Sequence, residues 1–252
     1  MSEWAVVTGA SSGIGRGFAE RLASQGLGLV LVARSAEALH DIADDLRSRY
    51  RVPVDVMPCD LTDAAARDHL VADLADREVG VLVNNAGFAT VGDLVDTDPG
   101  RIEAEISLNV LALTMLARAF APAMKSRRRG AIVNVASTAA FQPLPTFGVY
   151  AATKAYVLSL SQALWDELRP YGVTVLALCP GSTETAFWAT AGDETMLRHR
   201  RSVDQVLDTC FEALAKGRPY VIDGLGNTVL AHIAKLAPAR IGLPVSRRVL
   251  RS

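Results

Sequence analysis

The 252-residue chain is short of cysteine, and its three thiols, Cys59, Cys179 and Cys210, are odd in number and far apart. That spacing excludes a disulfide framework and a paired-cysteine zinc site, and it fits reduced thiols in a cytoplasmic protein. Histidine is scarce too. His40, His69, His199 and His232 share no ligand spacing with one another or with the cysteines, so no metal site is expected. Net charge is almost absent, -1 at neutral pH, which removes any global reason to expect nucleic acid or an acidic partner. The balance hides an asymmetry: residues 224–252 hold five cations and no acid, leaving 21 cations against 27 acids before them. No apolar run is expected to be long enough to span a bilayer. The first strand-like run starts so early that no signal or transit peptide is expected. Linkers, repeats and low-complexity stretches are also missing, and half the residues are hydrophobic, enough for one large core in one domain.

What is there is an alternation. Short Val/Leu-rich runs at 5–7, 28–33, 54–57, 79–83, 131–135, 173–178 and 220–222 read as strands. Amphipathic stretches at 14–25, 36–49, 63–77, 99–125, 150–169 and 203–216 read as helices. Seven strands alternating with six helices imply an α/β fold, a doubly wound parallel sheet covered by helices on both faces. In such a fold ligands gather beyond the carboxyl ends of the strands. The unusual residues fall there: Gly9–Gly15, Arg34, Asp60, 84–87, Ser137 and Pro180-Gly181 each follow a strand.

The stretch TGASSGIG, residues 8–15, has two readings. Gly9-Ala10-Ser11-Ser12-Gly13 fits the G-x-S-x-G elbow of a serine hydrolase, but such a serine normally sits on a central strand and is followed by an acid and a loop histidine. Here the run follows the first strand, and His199 and His232 lie in helix-like segments. A phosphate-binding P-loop fails as well, for want of Lys-Ser/Thr after Gly13 or Gly15. A dinucleotide loop has a mechanism. Gly9, Gly13 and Gly15 let the backbone approach a pyrophosphate, Ser11 and Ser12 offer hydroxyls, and the helix from Ile14 aims its first N–H groups at the phosphates. A plain glycine-rich turn is the alternative for this stretch alone.

Six motifs, in order, give the chain a family resemblance: TGASSGIG, Asn84-Asn85-Ala86-Gly87, Asn109, Ser137, Tyr150-Ala151-Ala152-Thr153-Lys154 and Pro180-Gly181-Ser182-Thr183-Glu184-Thr185. Over residues 5–187 it resembles the short-chain dehydrogenase/reductase (SDR) family. The resemblance implies a Rossmann-type fold, with a cofactor half over about 1–136, a catalytic and substrate half over about 137–223 and a basic tail over about 224–252. It implies an oxidoreductase in which Tyr150 is the acid/base, Lys154 assists it and holds the cofactor ribose, Ser137 binds the substrate oxygen, and Asn109 holds a relay water. A structural side-chain-to-backbone bond is the other reading of Asn109. Tyrosine is a poor catalyst with its pKa near ~10, and an ammonium one helical turn away would lower that value. By the same resemblance Asp60 and Leu61 meet the adenine, Asn84 to Gly87 line the cleft, and Pro180, Gly181, Thr183 and Thr185 reach the carboxamide end of the cofactor.

The second strand ends in Ala33-Arg34-Ser35. An acid there would bind the ribose 2′-hydroxyl of NAD, whereas a guanidinium suits the 2′-phosphate, so NADP(H) is expected over NAD(H). Phe88, 141–149 and 187–196 border the expected pocket. Phe141, Phe147, Phe187 and Trp188 suggest a lipophilic carbonyl or alcohol, and 186–202 is expected to form a lid. The resemblance also implies a homodimer or homotetramer through the helices at 99–125 and 150–169. The tail combines an amphipathic helix with basic residues, and three readings stand: packing on its own domain, clamping a partner subunit, or peripheral contact with an anionic membrane. A non-catalytic dinucleotide sensor on the same fold is the competing class.

Overall fold

The computed structural model describes residues 3–185 and 201–236, with Arg240 and Leu243. Phe187, Trp188, most of the expected lid and most of the tail beyond residue 236 therefore lie outside the described residues. The strands are β1 (Trp4–Thr8), β2 (Gly28–Ala33), β3 (Val54–Pro58), β4 (Val79–Asn84), β5 (Gly130–Val135), β6 (Val173–Cys179) and β7 (Tyr220–Ile222). They form one all-parallel, Rossmann-like sheet in the order β3-β2-β1-β4-β5-β6-β7. The helices are α1 (Gly13–Ser24), α2 (Ala36–Tyr50), α3 (Ala64–Asp73), α4 (Pro99–Ile106), α5 (Leu113–Arg127), α6 (Gly148–Leu168), α7 (Val203–Ala215) and α8 (Leu225–Leu236).

The two-residue period of the strands sorts their side chains between two cores. Ala5 and Val7 of β1, Leu29 and Leu31 of β2, and Leu176 and Leu178 of β6 meet Phe18 of α1, Leu39 of α2 and Val206 of α7. Val6, Val30, Val32 and Val175 face the other way, onto Leu70 of α3, Leu116 and Phe120 of α5, and Leu164 of α6. Central strands so enclosed tolerate no polar alternation, which is why they read as unbroken apolar runs.

Three expectations need correction. The helix read over 63–77 stops at Asp73, because Leu74, Ala75 and Arg77 turn back on Val71, Ala72 and Leu74. The helix read over 99–125 is three pieces: α4, a π-helical turn at Ser107–Ala112, and α5. As a unit, Pro99–Arg127 is long and apolar enough to cross a membrane, with a mean hydropathy of 1.5 over its most apolar window. The expectation that no run had that length and composition was wrong. In this structure Leu116, Phe120 and Met124 of that run pack against the sheet.

Candidate active site

β1 lies between β2 and β4, so the loops leaving β1 and β4 part company and open a crevice at the carboxyl edge of the sheet. Gly9 takes the left-handed φ of +64° that turns the chain out of β1. A Cβ on Gly15 would lie 2.2 Å from the Gly9 carbonyl oxygen, and one on Gly9 would lie 2.7 Å from Asn85 Nδ2. Only glycine lets the first turn of α1 and the β4 loop close on each other this tightly. Ser12 is the extended N-cap of α1 and makes no side-chain capping bond. The first-turn N–H groups of α1 therefore face the loop that holds Ser11 and Ser12. Ile14 instead packs against the core. Thr185, beyond β6, closes over the same turn: a Cβ on Gly13 would meet its Cγ2 at 2.8 Å.

The β1 and β4 loops are stitched by Thr8, a residue that looked like any other strand end. Its hydroxyl donates to Val83 O (3.2 Å) and accepts from the N–H groups of Asn85 (2.9 Å) and Ala86 (3.0 Å). Asn85 Nδ2 donates to Thr8 O at 3.0 Å and Gly9 O at 3.2 Å. Asn84, expected to line the cleft, is buried, and its amide donates to Leu113 O (3.3 Å) and Asn134 Oδ1 (3.0 Å). Its side chain ties β4 to β5 and α5 instead.

Arg34 stands exposed at the end of β2, and Ser35 caps α2 by accepting from Ala38 N at 3.3 Å. Asp60, after β3, accepts from the Thr62 N–H (2.9 Å) and hydroxyl (2.7 Å). Those two bonds, with the charge of Arg34, hold its carboxyl below the usual aspartate range. Arg67 is buried and donates to Leu61 O (2.6 Å) and Thr62 O (3.1 Å), which fixes that loop with Leu61 in the core.

On α6, Tyr150 and Lys154 stand one turn apart, both buried. The Tyr150 hydroxyl is hydrogen-bonded to Ser137, and its ring meets Phe147 edge-on at 5.8 Å. Ser137, just past β5, also accepts from Ala139 N at 3.1 Å. Lys154 Nζ donates to Val135 O at 2.8 Å and lies 5.6 Å from the Tyr150 ring centroid. Burial pushes Tyr150 up to about 12 against the pull of Ser137, and it pushes Lys154 down to about 8. The expectation of a phenol lowered by its neighbouring ammonium is thus reversed in this state, because desolvation disfavours both charges.

Asn109 occupies the π-helical turn, the kind of irregularity that often re-aims a functional side chain. Its Oδ1 accepts from Phe88 N (3.1 Å), while Nδ2 donates to Phe88 O (2.8 Å) and Thr153 Oγ1 (3.1 Å). A Cβ on Gly87 would lie 2.8 Å from Asn109 Oδ1 and 3.5 Å from Lys154 Nζ, so this glycine admits both. Pro180 O accepts from Thr138 N (2.9 Å), and a Cβ on Gly181 would meet Asn227 Nδ2 at 2.3 Å. Thr183 is buried, bonded to Gly181 O at 3.2 Å and bridged to Arg201. Phe141 packs on Tyr220 (6.2 Å), and Phe147 is buried against Tyr150. Both rings brace the wall of the site. Among the described residues no cluster of His, Cys, Asp or Glu could hold a metal ion.

The donor set fits a phosphorylated dinucleotide: a glycine cradle that a Cβ would fill, a helix N-terminus without a side-chain cap, and an exposed guanidinium at the second strand. The residues to which sequence reasoning gave no role of their own are Thr8, Thr153 and Glu105. Of these, only the acid inside an apolar helix carried any signal.

Residues 3–195 match the family model for short chain dehydrogenase. The chain is 36% identical over 188 residues to the very-long-chain 3-oxoacyl-CoA reductase of Bos taurus, covering 71% of this chain and 59% of that protein. It is 32% identical over 250 residues to the 17-beta-hydroxysteroid dehydrogenase type 3 of Rattus norvegicus, covering 96% of this chain and 78% of the relative. A short-chain dehydrogenase from Sphingobium yanoikuyae, solved in complex with NADPH, superposes with a TM-score of 0.85 at 36% identity, over 94% of this chain and 97% of that one. The chain belongs to the short-chain dehydrogenase family of NAD(P)-dependent oxidoreductases.

Proposed function

We propose that the protein reduces a lipophilic ketone or aldehyde to its alcohol with NADPH. The observation that carries the reading is the hydrogen bond between Ser137 and Tyr150, with Lys154 one turn behind and the glycine loop joined to them through Asn85 and Gly87. Bound NADPH would supply the hydride. Ser137 would donate to the substrate oxygen, polarising the carbonyl, while Tyr150 passes its proton to that oxygen. A phenol held fully protonated suits a proton donor, the role that reduction requires. Arg34 would pair with the 2′-phosphate, and no acid stands at the end of β2 to favour NAD.

The names of the relatives support a lipophilic substrate, since one is a very-long-chain 3-oxoacyl-CoA reductase and another a 17-beta-hydroxysteroid dehydrogenase. Half-buried Val91 and Leu144, packed on the cluster that holds Tyr150, add apolar surface there. The test follows the reduced-nicotinamide absorbance while ketones and aldehydes of graded lipophilicity are supplied with NADPH or NADH. Faster turnover of the apolar members with NADPH is expected. Preference for NADH, or for small polar carbonyls, overturns the corresponding half of the reading.

Two exposed apolar surfaces support assembly. Leu111 and Met115, on the π turn and α5, and Tyr156 on α6 are 45%, 46% and 41% exposed, which suits a homodimer through those helices. On α8, Leu225, Val229, Leu230 and Ile233 form an exposed apolar stripe in a segment with cations and no acid, which suits a partner subunit or an anionic membrane surface.

A further inference from the structure

One ionisable group near the site has no place in this mechanism. Glu105, at the end of α4, is 0% exposed, and neither carboxyl oxygen has a hydrogen-bond partner among the described residues. It stands one turn before Asn109, whose Thr153 bond joins the π-helical turn to α6. Thr90, in the loop after β4, turns its buried hydroxyl and its N–H toward the carboxyl, short of a formed hydrogen bond but close enough to favour the ionised form. A lone buried carboxyl is costly, and one without partners needs a reason for being there.

The charges around it supply that reason. Arg101, one turn earlier on α4, and Lys154 on α6 both favour ionised Glu105, although burial raises its pKa overall. In return Glu105 favours the protonated forms of both Lys154 and Tyr150. Cys179 at the end of β6 is the other titratable neighbour of that pair, and burial pushes its thiol up to about 12, which keeps it neutral. Arg101 is exposed, and its guanidinium reaches back over the loop after β4, donating to Ala89 O at 3.3 Å and lying 5.1 Å from the Phe88 ring centroid. Glu105 is therefore the one buried carboxylate acting on the pair from among the described residues.

We propose that Glu105 is the buried counter-charge of the Tyr150–Lys154 pair, a positioning residue that keeps protons on the pair and so biases the site toward giving a proton to a carbonyl. This rests on the reductase reading above. Without the carboxylate, Lys154 and Tyr150 would each release a proton at lower pH. Carbonyl reduction, which needs the proton in place, would then fail at lower pH, and alcohol oxidation, which needs the phenolate, would begin at lower pH.

The test uses the full chain with Glu105→Gln and Glu105→Asp. For Gln, the alkaline limb of carbonyl reduction should move down by roughly one pH unit, about a tenfold loss at a fixed alkaline pH, with the acid plateau unchanged. Asp, which keeps the charge, should restore most of the limb. Limbs that superpose for Gln and the unmodified protein overturn the proposal. A second readout needs no turnover: thermal midpoints of Glu105→Gln, Lys154→Met and the double variant, at neutral and at acid pH. The double variant should lose less than the sum of the singles at neutral pH, and this coupling should vanish in acid, where Glu105 is protonated. Additive losses at both pH values overturn the counter-charge, whatever becomes of the reductase reading. Coupling in a chain that reduces no carbonyl would overturn the reductase reading alone.

Discussion

Replacing Asn109 by Ala separates anchoring from proton relay. The side chain makes three hydrogen bonds, two of them closing a ring with the backbone of Phe88 and one reaching Thr153 Oγ1. Truncation leaves the half-buried Phe88 N–H and C=O without those partners and removes the tie between the π turn and α6. An orphaned buried group costs about 1–3 kcal/mol, and solvent reaching the half-buried loop softens that, so ~2 kcal/mol is a fair expectation. For a chain near this length, ~1 kcal/mol moves the midpoint by about 2–4 °C, so Asn109→Ala should melt roughly 4–8 °C lower. The assay is a circular-dichroism melt, with Asn109→Asp alongside. Asp keeps the acceptor for Phe88 N but loses both donors and brings a second acid close to Glu105, so it should melt lower still at neutral pH and recover in acid. An Ala variant that melts within one degree of the unmodified protein would refute the anchoring role.

Other consequences follow from the same contacts. Arg34→Gln should raise the KM for NADPH by about 10- to 100-fold, the value of a lost charged hydrogen bond, and leave NADH turnover unchanged; equal losses with both cofactors would remove the 2′-phosphate contact. Gly15→Ala places a Cβ against the Gly9 carbonyl, where backbone must move, so NADPH should no longer quench the intrinsic fluorescence of that variant. Lys154 sits with its pKa lowered to about 8, so its contribution to stability is present at high pH and lost as pH falls through that value. Lys154→Met should gain thermal stability relative to the unmodified chain as pH is lowered through this range. A difference that stays flat with pH would show that the ammonium carries no desolvation penalty.

Much of the architecture was legible because its causes are local. Val and Leu runs too short for helices marked all seven strands, and the polar and glycine residues after each one marked the crevice edge. The site residues that sequence order brought forward, Ser137, Tyr150 and Lys154, do come together on neighbouring elements. What could not be read depends on tertiary environment. The pKa of Tyr150 was expected to fall because a lysine stood one turn away. It rises because burial acts on both groups and Lys154 bonds to Val135 O. Asn84 and Asn85 are adjacent and identical in sequence, yet one points into the layer below the sheet and the other ties down the glycine loop. The π turn at Ser107–Ala112 leaves the apolar pattern of the long helix unbroken and so hid inside it. Glu105 was visible as an acid, but its burial was not.

The most direct test of the account is Tyr150→Phe, which keeps the ring against Phe147 and removes only the hydroxyl. With saturating NADPH and the best carbonyl substrate, turnover should fall by about 10²- to 10⁴-fold, the usual worth of a general acid, while NADPH binding stays intact. Turnover that survives undiminished in this variant would contradict proton transfer by Tyr150 and, with it, the mechanism proposed for the site.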